Sequence, residues 1–245
     1  MSDTDISTDS AASKDPIEVY GSAPGHSPFT APLEGAWDVI LQGVGRNLKK
    51  RGFAVTVAAT LKDASELVMS RLLPESQART VSFGGSMTVR EAGLLEALKA
   101  RPELEVMDTF DTGIGLPAML ELRRQALLCD LFICSANAMT RDGVVLLLDG
   151  IGNRTAAVQF GPRKVILLVG RNKIRASREA AVERVKTVSA PANCVRLSKK
   201  TPCVKTGTCM DCGSPDRICS VWTIVERCSP KGRIHVVLVN EDWGY

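Results

Sequence analysis

The sequence is poor in aromatic residues and in histidine. Only 4% of its 245 residues are Phe, Trp or Tyr, so aromatic surfaces for stacking nucleic-acid bases are not in evidence. The net charge of +4 is spread along the chain instead of forming a basic block, so no nucleic-acid partner is expected, whereas small anions remain plausible ligands. The two histidines, His26 and His235, give no basis for a nucleophile–His–carboxylate triad or for histidine-based metal catalysis.

The sequence also lacks long apolar runs. None approaches the roughly 20 residues of a membrane-spanning helix, and the N-terminus has no apolar signal-peptide core, so we expect a cytoplasmic protein with no membrane span. Residues 1–32 are rich in Ser, Asp, Thr, Pro and Gly and are expected to be a mobile tail. The apolar content of 44% is enough for one sizeable core, which predicts a single main domain over residues 33–245.

Short apolar runs alternate with helical patterns through this domain. The alternation predicts an α/β fold with a mostly parallel sheet flanked by helices. Strands are expected at residues 53–58, 80–83, 105–109, 131–134, 144–148, 165–169 and 234–239, and helices at residues 34–50, 63–73, 88–99, 117–129 and 177–188.

The first candidate ligand site lies between a predicted strand and helix, at Gly84, Gly85, Ser86 and Thr88. Glycines let backbone amides approach an anion, and the start of the next helix carries partial positive charge. The alternative is a plain turn in which Ser86 or Thr88 caps the helix. Glu91 is more readily explained as a favourable charge near a helix start than as a catalytic carboxylate.

The second candidate site follows three later strands, where amides and cations stand next to glycines. Its residues are Asn137, Gly152, Asn153, Arg154, Asn172 and Lys173. Residues 140–143 have the chemistry of a hairpin turn, since Asp-Gly suits that geometry. We expect both sites to converge in one cavity at the carboxyl ends of the strands and to bind a carboxylate or phosphate. Replacing Arg154 with Ala is then expected to weaken binding and leave stability nearly unchanged.

These motifs resemble the LUD (lactate utilisation) domain family. The resemblance runs from about residue 53 to the C-terminus and is carried by Gly84-Gly85-Ser86-x-Thr88, Ser135-Ala136-Asn137-Ala138-x-Thr140-x-Asp142-Gly143, Gly152-Asn153-Arg154, Gly161-Pro162-x-Lys164-Val165 and Val169-Gly170-x-Asn172-Lys173. It implies a fold similar to the ribose-5-phosphate isomerase and CoA-transferase superfamily, and a part in oxidising L-lactate to pyruvate. It assigns no acid, base or nucleophile.

A cysteine-rich loop at about residues 200–220 is the third feature. Its thiols are Cys203, Cys209, Cys212 and Cys219. In a cytoplasmic protein such a group is typical of metal ligands, and the Cys-x-x-Cys pair lets two sulfurs face one ion. The spacing leaves zinc, an iron–sulfur cluster and metal-free thiols all open, with Cys194 and Cys228 as alternative ligands. Cys129 and Cys134 lie in apolar runs and are expected in the core.

Two classes of function remain. One is an accessory or electron-transfer protein of lactate oxidation, with iron–sulfur redox proteins as partners. The other is a free-standing enzyme that acts on a phosphorylated, nucleotide or acyl-CoA ligand. Fold alone does not choose between them.

Overall fold

The structure is a computed structural model that describes residues 16–21, 30–111 and 113–245. The described strands are β1 (Val19–Tyr20), β2 (Ala54–Ala58), β3 (Thr80–Phe83), β4 (Glu105–Met107), β5 (Leu131–Cys134), β6 (Ala138–Thr140), β7 (Val145–Asp149), β8 (Lys164–Gly170), β9 (Ile174–Arg175), β10 (Val221–Val225) and β11 (Ile234–Val239). The described α-helices are α1 (Ala31–Lys50), α2 (Leu61–Leu67), α3 (Leu73–Ser76), α4 (Met87–Glu91), α5 (Leu94–Lys99), α6 (Leu116–Gln125), α7 (Asn153–Gln159), α8 (Arg178–Arg184), α9 (Ala190–Arg196) and α10 (Cys203–Thr206). Strands and helices alternate along most of the domain.

Seven of these strands form one sheet in the order β1-β2-β11-β8-β5-β3-β4. Every neighbouring pair in it is parallel. Parallel neighbours need crossover connections, which the helices supply. The predicted α/β class, a mostly parallel sheet flanked by helices, is confirmed.

Both faces of the large sheet are buried. Successive side chains of a strand point to opposite faces, so each strand contributes to two apolar clusters. In β5, Phe132 packs in the cluster that contains Leu41 and Leu48 of α1, whereas Ile133 packs in the cluster that contains Leu94 of α5. Each such buried side chain contributes roughly 1.5–3 kcal/mol. The continuous apolar strands follow from this two-sided burial.

A second sheet of four strands has the order β10-β7-β6-β9. The hairpin predicted at residues 140–143 joins β6 to β7, and its Gly143 has a φ of +89°. One face of this small sheet contributes Met139 and Val145 to the α1 side of the core, and the other packs Leu146 against Ala181 of α8. The small sheet was not predicted, since strand β10 was not recognised in the sequence.

Several predicted helices have different bounds. The helix predicted at residues 88–99 is two short helices, α4 and α5, separated at Ala92 and Gly93. The helix predicted at residues 63–73 begins at Leu61 as α2 and continues as a π-helical turn, Val68–Leu72, into α3. A 3₁₀ turn, Arg171–Lys173, links β8 to β9, and a π-helical turn, Val185–Ser189, links α8 to α9.

Part of the predicted tail lies against the domain. Ile17 is buried in the main core, and both its backbone N–H and its carbonyl bond to the side-chain amide of Gln42. Residues 19–20 form β1, which pairs with β2. The tail prediction is therefore wrong for residues 16–21, because Ile17 and Tyr20 supply apolar anchors; residues 1–15 and 22–29, with His26, lie outside the described residues. Over the described part of the chain, no helix is both long and apolar enough to cross a membrane.

Candidate functional site

Three neighbouring strands, β8, β5 and β3, end at the same edge of the large sheet. Their register is fixed by Ile133, which pairs with Phe83 on one side and Ile166 on the other. The segments that leave these strands carry Lys173, Ser135 and Thr88. Parallel strands thus bring together residues that are far apart in the sequence.

Lys173 lies at the centre of this edge with an exposed fraction of only 2%. Its Nζ donates to Ser135 Oγ at 2.8 Å and to Thr88 Oγ1 at 3.1 Å. Among the described residues, no carboxylate forms an ion pair with this amine. Burial, together with the positive charges of Arg184 and Arg154, lowers the pKa of Lys173 to about 7.

Arg154 forms a buried network that joins the two sheets. Its guanidinium pairs with Asp149 at 2.8 Å and donates to Asn137 Oδ1 at 2.6 Å. It also donates to the backbone carbonyls of Ser135 and Leu148. Asn137 Oδ1 also accepts the N–H of Leu148. The side chains of Arg154 and Asn137 therefore hold β7 against the end of β5.

This burial changes the expected role of Arg154. Removal of the guanidinium would leave the Asp149 carboxylate buried without its cationic partner, with the N–H of Thr155 as its remaining donor, which costs several kcal/mol. The sequence-based expectation that Arg154→Ala leaves stability nearly unchanged therefore does not fit the structure. Arg154 shapes the site and supplies positive charge, but its donors already have partners.

A second buried arginine, Arg184 of α8, points to the same place. Its guanidinium donates to the carbonyls of Asn172 and Asn137 and to Ser189 Oγ. None of these acceptors is charged, and no carboxylate forms an ion pair with Arg184 in the described part of the chain. Burial lowers the pKa of Arg184 to about 10. Lys173 and Arg184 together form a cationic centre in which neither side chain is ion-paired with a carboxylate among the described residues.

The C-terminal residues cover this centre. Asn172 Nδ2 donates to the carbonyl of Gly244 at 2.8 Å, and Asn172 Oδ1 accepts the N–H of Trp243 at 3.3 Å. Gly244 has a φ of +64°, and a Cβ placed on it would lie 2.5 Å from Thr88 Oγ1 and 3.1 Å from Lys173 Nζ. Only glycine lets the chain pass this close to the amine.

The remaining predicted ligand residues divide into two groups. Gly84 touches the network, since a Cβ there would lie 2.7 Å from Arg154 Cγ, and Thr88 is the hydroxyl beside Lys173. Gly85 faces open space, and Ser86 caps α4 by accepting the N–H of Val89, as the alternative explanation of this segment held. Gly152 and Asn153 start α7, where Gly152 accepts from the backbone of Ala156.

Comparison with known proteins identifies the family. The sequence profile described as LUD domain matches residues 41–239, which is most of the chain. The chain belongs to the LUD domain family. No match was found among curated proteins. Among solved structures, one described as a DUF162 family protein from Deinococcus radiodurans is similar with a TM-score of 0.44 and 18% identity, and it covers 83% of this chain and 98% of its own.

The predicted site residues of the LUD domain converge, but they do not line an open cavity. The contacts described above join five of them: Thr88, Asn137, Arg154, Asn172 and Lys173. Lys173, at their centre, is almost fully enclosed. An open cleft of about 500 Å³ lies next to this centre; it is lined by Leu61, Lys62, Ser65, Glu66, Met69, Glu91, Ala92 and Trp243. Whether a ligand binds at the enclosed centre stays a prediction.

Three important residues of the site were missed from sequence. Ser135 accepts the shorter of the two hydrogen bonds from Lys173, and Gly244 packs against the Lys173 amine. Arg184 had a detectable signal: it lies three residues after Ala181 and one before Val185, both buried, so it occupies the apolar face of a helix. Gly244 had none, because its role depends on a contact with residues distant in sequence.

The cysteine-rich loop of the LUD domain does not form a metal centre in this structure. Cys203 is buried in α10, and Cys209, Cys212 and Cys219 are half-buried free thiols. In the described residues, no group of three or more His, Cys, Asp or Glu side chains is placed to hold an ion. Zinc or an iron–sulfur cluster at these thiols stays a prediction.

A different partner orders this loop. Arg217 donates to the carbonyls of Cys212 and Cys219 and to Asp211 Oδ1. Cys209 Sγ accepts the N–H of Asp211 at 3.4 Å. These contacts close the loop through the Arg217 guanidinium.

Cys129, Cys134 and His235 are enclosed by the fold. Cys129 and Cys134 are buried, as predicted, and burial raises the pKa of both thiols to about 12. His235 lies in β11 next to Thr56 Oγ1 at 3.0 Å, and burial lowers its pKa to about 4.

Proposed function

We propose that this LUD domain binds a small carboxylate- or phosphate-bearing molecule at the Lys173 centre and takes part in the oxidation of L-lactate to pyruvate. The observation that carries the proposal is the pair of buried cations, Lys173 and Arg184, which have no carboxylate partner in the described residues. A buried charge without a partner is costly, and an anion would offset that cost.

The three donors of a protonated Lys173 amine support an anionic ligand. Ser135 and Thr88 accept two of them, which leaves one for a ligand oxygen. The Ser135 hydroxyl donates to the carbonyl of Ala136 at 3.2 Å, so it acts as an acceptor toward Lys173. Membership of the family supports the link to lactate, since the ligand of that reaction is a small carboxylate.

Calorimetric titration with L-lactate, pyruvate and inorganic phosphate tests the binding step. We expect at least one of them to bind. Lys173→Met should weaken that binding about tenfold or more, because it removes a charge-assisted hydrogen bond to the ligand. Lys50→Met, at the exposed end of α1, is the matched control and should bind like the wild type. No binding of any of the three anions to the wild type at millimolar concentration would contradict the proposal.

A second titration separates the two classes of function. The open cleft next to Trp243 offers room and apolar surface for the acyl part of an extended ligand such as an acyl-CoA, whereas Glu66 and Glu91 in its lining would repel phosphates. Tight binding of coenzyme A with no binding of lactate or pyruvate would support the free-standing enzyme. In the source organism, loss of the gene should stop growth on L-lactate and leave growth on other carbon sources intact.

A further inference from the structure

The amine of Lys173 has the environment of a nucleophile. A neutral amine has two N–H bonds and one lone pair, and Ser135 and Thr88 accept from both N–H bonds. The lone pair is then free for an electrophile. No carboxylate among the described residues stabilises the charged form of this amine.

The groups that face Lys173 favour loss of its proton, so that the protonated and the neutral amine coexist near pH 7. Burial removes the water that would solvate a charged Nζ, and the positive charges of Arg184 and Arg154 disfavour a proton on it. With a pKa of about 7, Lys173 has a large neutral fraction where an exposed lysine has almost none. The same two arginines would attract the carboxylate of an incoming molecule.

We propose that Lys173 forms an imine with the carbonyl carbon of a 2-oxo acid such as pyruvate. This inference rests on the proposed function for its ligand class. The lone pair of Nζ attacks the carbonyl carbon, and the carbonyl oxygen takes a proton from the amine to give a carbinolamine. The C–O bond then breaks, the oxygen leaves as water with a second proton from the nitrogen, and a C=N bond remains; no oxidant is required.

The C-terminal turn has to move before a ligand reaches the amine. Gly244 lies against Thr88 and Lys173, and the side chain of Asn172 holds both the Gly244 carbonyl and the Trp243 N–H. Opening the turn breaks these two hydrogen bonds and withdraws Trp243 from its partly buried position against the apolar core. Closure of the turn on a bound molecule would exclude water from the imine.

Reductive trapping tests the proposal. The full chain is incubated with pyruvate and sodium cyanoborohydride at neutral pH, and the product is analysed by intact mass and peptide mapping. We expect one reduced pyruvate adduct per chain, located at Lys173, and none with L-lactate, which has no carbonyl. Lys173→Met should lose the adduct, whereas the exposed control Lys50→Met should keep it.

Two results would overturn the inference. One is an adduct that is spread over surface lysines and persists in Lys173→Met. The other is a wild type that binds pyruvate by titration and yields no adduct; this would remove the imine and leave the proposed function standing. Circular dichroism of Lys173→Met shows whether a lost adduct reflects the missing amine or a lost fold, and Lys173→Arg, which keeps the charge without a nucleophilic amine, should also lose it.

Discussion

Replacement of Lys173 with Met is expected to remove a pH dependence of stability. The folded-state pKa of Lys173 is about 7, below the value of 10.5 for a free lysine. Between these two values the unfolded chain binds a proton that the folded protein does not, so the free energy of unfolding rises with pH in this window. At pH well below 7 both states are protonated and the slope from this residue disappears.

The magnitude follows from the number of protons. Between pH 7.5 and 8.5 the unfolded lysine is protonated and the folded one is mostly neutral, which gives about 1 kcal/mol of added stability over that unit of pH. His235 does not contribute in this range, because its unfolded pKa of 6.5 and its folded pKa of about 4 both lie below it. Cysteines of the unfolded chain, with a pKa of about 8.5, do begin to ionise in this range, and the comparison of wild type with Lys173→Met cancels their contribution. Lys173→Met should therefore be more stable than the wild type at pH 7.5, with a gap that narrows at pH 8.5.

Urea unfolding at the two pH values measures this gap. The difference between wild type and Lys173→Met cancels contributions from other groups, and Lys50→Met should keep the wild-type slope. A parallel pH dependence in wild type and Lys173→Met would refute the argument, since it would show that the buried amine keeps its proton in the folded state.

Three further predictions concern the network, the C-terminal turn and the cysteine-rich loop. Arg154→Ala should lower the free energy of unfolding by about 3–5 kcal/mol in urea titrations because it leaves the Asp149 carboxylate buried without a cationic partner, and a change below 1 kcal/mol would contradict that burial. Gly244→Ala should destabilise the C-terminal turn by about 1–2 kcal/mol and speed its amide exchange, whereas Gly85→Ala, in open space, should not. Arg217→Ala should speed amide exchange across residues 207–220 in metal-free protein; unchanged exchange, or zinc or iron found after anaerobic purification, would show that an ion orders the loop.

The large sheet was predictable because its signal is local. Apolar runs such as Thr80–Phe83 and Ile234–Val239 were assigned with correct bounds, since strands buried on both faces are continuously apolar and end at polar clusters. Those clusters also located much of the candidate site. Gly-rich and Asn-rich segments after parallel strands must meet at one edge, so the convergence of Thr88, Asn137 and Lys173 followed from topology.

The other features depend on contacts that no local pattern contains. The small sheet needs β10 to pair with β7, across more than seventy residues of chain. The β-branched and aromatic composition of β10, Val-Trp-Thr-Ile-Val, is typical of a strand, but it does not identify this distant partner. Ile17 is held in the core by hydrogen bonds between its backbone and the Gln42 side chain, although the polar residues around it in sequence are typical of a mobile tail. The distinction between Lys173, whose amine meets only hydroxyls, and Arg154, which is bonded to a carboxylate, required the coordinates.

The buried network around Arg154 also has a consequence for how this sequence can change over evolutionary time. Asp149, Asn137 and Arg154 satisfy one another, so a substitution at one position leaves a defect that only a matching substitution at another repairs. Related sequences should therefore keep all three residues or replace them as a set, and intermediates with a single change should be rare. Gly84 belongs to the same set, because any larger residue there meets the Arg154 side chain, so its freedom to vary should appear only in relatives whose arginine has already been lost.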